Sequence, residues 1–133
     1  MARIGIMLAI LVLPLAATFA SDSEYLLNFD LNTALPDGSV GSSIQLQGIH
    51  LSANQAFRGD DLGKYDYFLT ISDIENGKGK LTIEFYEYAT RKKKSAVVSE
   101  IVADVDFSLG SPAVFEAMSD TFGIDLAFSI VAR

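Results

Sequence analysis

A chain of 133 residues, half of them hydrophobic and a fifth charged, has the material for one packed domain and too much apolar content for a disordered chain. Its 17 acids against 10 bases, a net charge of −7, argue against a general nucleic-acid binder, which needs Lys and Arg clustered against phosphates. A sequence with no cysteine excludes a disulfide scaffold, a Cys zinc site, an iron–sulfur cluster and a thiol nucleophile, and a single histidine excludes a multi-His metal centre, so no cofactor is expected.

The N-terminus has three parts. Arg3 supplies a positive start, Ile4–Ala17 is an uncharged apolar run, and Thr18-Phe19-Ala20 sets small residues at −3 and −1 of a cut before Ser21. That layout predicts a secretory signal peptide over 1–20 and a single domain over 21–133, released to the periplasm or the exterior. The run falls short of the ~20 apolar residues needed to cross a bilayer, so no transmembrane segment is expected after cleavage.

Beyond the leader the pattern has period two. Tyr25, Leu27, Phe29 and Leu31 alternate with Leu26, Asn28, Asp30 and Asn32, as in a half-buried strand. Ile44 and Leu46 share one phase, Ile49 and Leu51 the other, and Gly48 at the slip predicts a β-bulge. An Asn/Gly/Asp-rich stretch through Gly59-Asp60-Asp61 reads as a loop before a strand over Tyr65–Ile71. Glu75-Asn76-Gly77-Lys78-Gly79 is a turn signal, and Leu81–Tyr88 is the return strand. Setting Ser72 against Lys80 brings Ile71, Leu69 and Tyr67 opposite Leu81, Ile83 and Phe85, so the apolar rows meet. Past the turn at Arg91–Lys94, the next strand runs over Val98–Leu109, placing Ile101 opposite Phe85 and Ala103 opposite Ile83. Gly110-Ser111-Pro112 ends it, Ala113–Met118 forms a short strand, and Ser119-Asp120-Thr121 turns into a last strand over Phe122–Ile130. About seven strands joined by short turns predict an all-β fold, an antiparallel β-sandwich or flattened barrel.

Several residue groups have a chemical and a plain reading. His50 permits a Ser-His-Asp triad on paper. The serines of Gly38-Ser39-Val40-Gly41-Ser42-Ser43 do not form Gly-x-Ser-x-Gly, and the parity of His50 turns it away from the apolar row. Asp60, Asp61 and Asp66, or Asp104 and Asp106, supply carboxylates without the spacing of a calcium loop, and read as solvated charges that discourage strand aggregation. Gly77-Lys78-Gly79-Lys80 joins two strands rather than a strand and a helix, so it is a hairpin and not a phosphate cradle. No metal site is expected. Arg91, Lys92, Lys93 and Lys94 put four bases at one hairpin tip, either a solvated turn or a contact for an acidic surface. On the face opposite Ile83 and Phe85 stand Phe68, Tyr86, Tyr88, Val98 and Val102, interleaved with Glu84 and Glu100; apolar side chains clustered on adjacent strands mark a candidate contact surface.

From about Lys80 to Val131, a hairpin is followed by Gly110, Pro112 and Ala113 and then by the alternating Phe122–Ile130. This segment resembles small β-domains of bacterial exported and sensor proteins, which carry a Gly-x-Pro-Ala turn before a final strand. Where those domains have Arg-Pro before the glycine and Glu after it, this chain has Ser108-Leu109 and Ser111. The resemblance implies a non-catalytic β-module and transfers no active-site residue.

The expectation is a secreted or periplasmic binding or accessory protein, not an enzyme. It would contact a protein or cell-envelope component, not a nucleic acid, through Phe68, Tyr86, Tyr88 and the basic hairpin Arg91–Lys94. Two other readings stand beside it: an inhibitor of an exported hydrolase, offering Ala34–Gly41 or Ala56–Gly63 as a loop, and a hydrolase using His50.

Overall fold

The computed structural model describes residues 24–91 and 96–133; the expected leader and Lys92, Lys93 and Lys94 lie outside them. The described chain forms eight strands: β1 (Glu24–Ala34), β2 (Val40–Ser52), β3 (Ala56–Leu62), β4 (Tyr65–Glu75), β5 (Lys78–Tyr88), β6 (Val97–Ser108), β7 (Ala113–Met118) and β8 (Gly123–Ala132). They make two four-stranded antiparallel sheets, β2-β1-β8-β7 and β3-β4-β5-β6. Among the described residues no ladder joins the sheets at either side, so the fold is a sandwich rather than a closed barrel.

Alternation builds the core. The centre strands β1, β8, β4 and β5 send in Leu27, Leu31, Leu126, Ile130, Leu69, Ile71, Leu81 and Ile83, each at most 2% exposed. Edge strands contribute less: Ile44, Leu46 and Ile49 of β2 and Phe115 of β7 are only partly buried. At one end Tyr65, Phe85 and Phe122 pack with ring centroids 5.2–5.4 Å apart, and Tyr67 stacks on Phe85 at 5.7 Å. Each such pair adds about 0.5–1.5 kcal/mol beyond the area it buries.

The β4–β5 register is the one the apolar rows require, with Ser72 opposite Lys80, Leu69 opposite Ile83 and Tyr67 opposite Phe85. The turn between them carries positive φ at both Asn76 (54°) and Gly77 (77°), the backbone that a right-twisted two-residue hairpin demands. In β6, Ile101 faces Phe85 and Ala103 faces Ile83. The slip in β2 is a bulge: β1 and β2 change register between Leu27 and Phe29, and Gly48 sits at φ +68°. Its N–H donates to Asn28 Oδ1 at 2.8 Å, so the residue skipped by the ladder holds the bulge by its side chain.

Ala56–Gly63 is not a loop: Ala56–Leu62 is β3, paired with β4 from Ala56 opposite Thr70 to Leu62 opposite Tyr65, and it raises the strand count from about seven to eight. Gly59, which read as a loop signal, stands opposite Tyr67, and a Cβ there would lie 2.0 Å from the Tyr67 ring. The glycine is present because a buried ring crosses its backbone, a strand use of glycine and not a turn. The segment is therefore a paired edge strand, unavailable as a free inhibitory loop.

Candidate interaction surface

The outer face of β3-β4-β5-β6 gathers the side chains singled out above. The ladders align Arg58, Phe68, Glu84 and Val102 in one row across the sheet, and Asp66, Tyr86 and Glu100 in the next. Phe68 and Tyr86 meet edge to face with centroids 6.1 Å apart, and the Tyr86 hydroxyl donates to Glu84 Oε1 at 2.7 Å. That bond, with burial and the nearby carboxylates, pushes the Tyr86 phenol up to about 12. Both rings are half-buried against the sheet, whereas Val102 beside them is 55% exposed. Among the described residues no strand lies over this face.

The face continues into a charged end. Arg58 donates to Asp66 Oδ2 at 3.0 Å, and the Tyr88 hydroxyl lies 3.5 Å from the same oxygen. Asp66 is 2% exposed, and its carboxylate, hydrogen-bonded to Arg58, holds that guanidinium above its ordinary value. Arg91 reaches the β3–β4 turn: a Cβ at Gly63 would stand 3.9 Å from its guanidinium carbon. The structure thus brings Phe68, Tyr86, Tyr88 and Val102 onto one surface with Arg58, and places Arg91 at the same end of the sheet as Lys64; the β5–β6 register shifts past Glu87, so Val97 stands opposite Tyr88 and Val98, expected on this face, is skipped by the ladder. Lys92, Lys93 and Lys94 belong to the β5–β6 connection and lie outside the described residues.

On the inner face of that end sits a carboxylate that sequence reasoning missed. Glu87 continues the inward row of Leu81, Ile83 and Phe85 and is 3% exposed. Lys64 Nζ lies 2.9 Å from Glu87 Oε2, and the Thr121 hydroxyl, from the β7–β8 turn of the other sheet, donates to Oε1. Burial alone would push Glu87 up; the hydrogen bonds from Thr121 and Lys64 and the lysine charge outweigh it and hold the carboxyl below its ordinary value. An acid in an apolar row was the available signal. It ties the two sheets together, and its lone pairs are spent on that task.

The remaining chemical candidates are dispersed. His50 stands on exposed β2 opposite Leu26, with Nδ1 3.7 Å from Glu24 Oε1. Asp66, expected as a solvated charge, is instead buried and paired with Arg58, while Asp104 and Asp106 face outward on β6, with Asp104 accepting from Thr82 at 2.7 Å. A cavity of about 550 Å³ lies at the β4–β5 turn, where Asp73, Glu75 and Asp106 are interspersed with Lys78 and Lys80. Among the described residues no three His, Cys, Asp or Glu side chains converge on a point that would hold a metal ion. Nor, among them, is any helix long and apolar enough to cross a membrane. The Gly110-Ser111-Pro112-Ala113 segment carries the chain from β6 in one sheet to β7 in the other.

No protein-family model matches the chain, and comparison with curated proteins finds no related sequence. What is established is the class: an all-β, two-sheet sandwich.

Proposed function

We propose that the protein is an exported, non-enzymatic binding or accessory module that contacts a protein or cell-envelope component through the outer face of β3-β4-β5-β6. One observation carries the reading. Phe68, Tyr86, Tyr88 and Val102 stand together on three neighbouring strands, flanked by charge, with Val102 more than half exposed. Scattered apolar residues mean little on a surface, but a contiguous group bordered by ionic side chains has the anatomy of a contact patch. Partly buried aromatic rings lose little side-chain freedom on binding, which makes Tyr86 and Tyr88 economical anchors. The basic β5–β6 connection at its end adds long-range attraction for an acidic partner. Export follows from the leader layout of residues 1–20, and residues 80–131 carry the likeness to non-catalytic exported β-domains.

The test is affinity capture from the native host with the wild-type chain and with a variant combining Tyr86→Ala, Tyr88→Ala and charge reversal of Arg91–Lys94, both first checked for an unchanged melting transition. The variant is expected to lose the captured partner. Equal capture by both chains dismisses this surface.

A further inference from the structure

Among the described residues the sandwich has four sheet edges, and they are unequal. On β7 the edge is six residues long; β3 changes register between Gly59 and Leu62; β2 changes register twice along its length. By contrast, β6 pairs with β5 from Ser108 opposite Lys78 to Ser99 opposite Glu87 without a break. Among the described residues it is the edge with the longest uninterrupted pairing. Its outer side presents a ladder's worth of N–H and C=O groups to any added strand.

Edges of this kind are usually blunted by lysine, proline or a bulge. None interrupts Ser99–Ser108, and the outward row there reads Glu100, Val102, Asp104, Asp106, all exposed. The neighbouring row on β5 adds Glu84 beside Val102. Acids therefore do the guarding, and they guard selectively. Two copies of β6 paired antiparallel about Val102 would set Glu100 against Asp104 twice, and like charges directly opposite in a ladder are destabilising. A strand carrying Lys or Arg at two positions four apart, with an apolar residue midway, meets the same row with the opposite sign. Its bases fall beside Glu100 and Asp104 and its apolar side chain beside Val102, at the ~4.5–5.5 Å separation of cross-strand Cβ pairs.

We infer that β6 is a β-augmentation edge for an extended basic segment of a partner protein, in which main-chain pairing supplies affinity and the Glu100–Val102–Asp104 row supplies selectivity. The inference rests on the proposed function only in placing the partner on this sheet, at its edge and not on its aromatic face.

Fluorescence anisotropy tests it with a labelled peptide of repeating Lys-Thr-Val-Thr, which puts Lys, Val, Lys on one side of a strand. Two controls accompany it: the same composition scrambled so that the lysines fall on both sides, and the patterned peptide N-methylated at alternate residues, which removes the donors needed for pairing. The wild-type chain is expected to bind the patterned peptide at least tenfold more tightly than either control, and Glu100→Lys with Asp104→Lys to weaken it at least tenfold. Both positions are exposed, so the fold should tolerate the exchange. No binding of the patterned peptide, equal binding of either control, or full binding by the double variant overturns the inference. Tyr86→Ala with Tyr88→Ala separates the two readings. Peptide binding retained by that variant supports the edge. Binding lost there but kept by the β6 variant overturns the edge and leaves the aromatic face standing.

Discussion

Replacing Thr121 with Val removes the hydroxyl that donates to the buried Glu87 while leaving the side-chain shape almost unchanged. Glu87 is 3% exposed and Thr121 belongs to the other sheet's β7–β8 turn, so the bond is a clasp between layers. Leaving a buried acceptor without its donor costs about 1–3 kcal/mol. Thr121 is itself exposed, so water can take part of its place and the lower half of that range, ~1–2 kcal/mol, is expected. For a domain of this size that is a fall in melting temperature of about 4–8 °C. The pH dependence sharpens the test. Because the folded-state carboxyl is held below its ordinary 4.5, its stabilisation is complete above that value and is lost as pH falls through the depressed folded value. The stability gap between wild type and Thr121→Val should therefore be full at pH 7 and shrink in acid, measured by urea unfolding at a series of pH values. A gap below about 0.3 kcal/mol at pH 7, or one that does not narrow below pH 4, would refute the clasp.

Other consequences follow from single contacts. Gly59→Ala should destabilise by ~1–3 kcal/mol or more through overpacking against Tyr67; combined with Tyr67→Leu it should cost distinctly less than the sum of the two single changes, as read from a double-mutant cycle in urea. Gly48→Ala should cost about 1 kcal/mol because the bulge holds that residue at φ +68°, and Gly48→Asn less, since Asn tolerates that backbone better; equal losses would remove the conformational explanation. Ultraviolet titration of the tyrosines should show an ionisation near pH 12 that moves to lower pH in Glu84→Gln, because the carboxylate that accepts from Tyr86 and repels its phenolate is gone.

The apolar alternation carried the architecture because a sandwich buries one face of each strand, and a one-residue slip would expose the whole row. That is why the β4–β5 and β5–β6 pairings could be written from Ser72, Lys80, Phe85 and Ile101 alone. Gly48 marked its bulge because two rows of opposite phase bracket it. β3 was not legible: Gly59, Asp60 and Asp61 carry turn composition, and the reason Gly59 stands in a strand lies in Tyr67, a ring contributed by the partner strand. Tertiary context of that kind leaves no local trace. The aromatic surface was visible as a parity argument, since Phe68, Tyr86 and Tyr88 fall opposite to the buried row. Asp66 was not, because its burial depends on Arg58 folding over it from another strand.

The central claim is that the outer face of β3-β4-β5-β6 is where this protein touches its partner. A photo-crosslinking amino acid placed at Val102 on that face, and separately at Val114 on β7 of the opposite sheet, tests it in the native host; both positions are more than half exposed and tolerate the change alike. Adducts of one defined species at Val102 and none at Val114 are expected. The reverse pattern, or the same adducts from both, would contradict the claim.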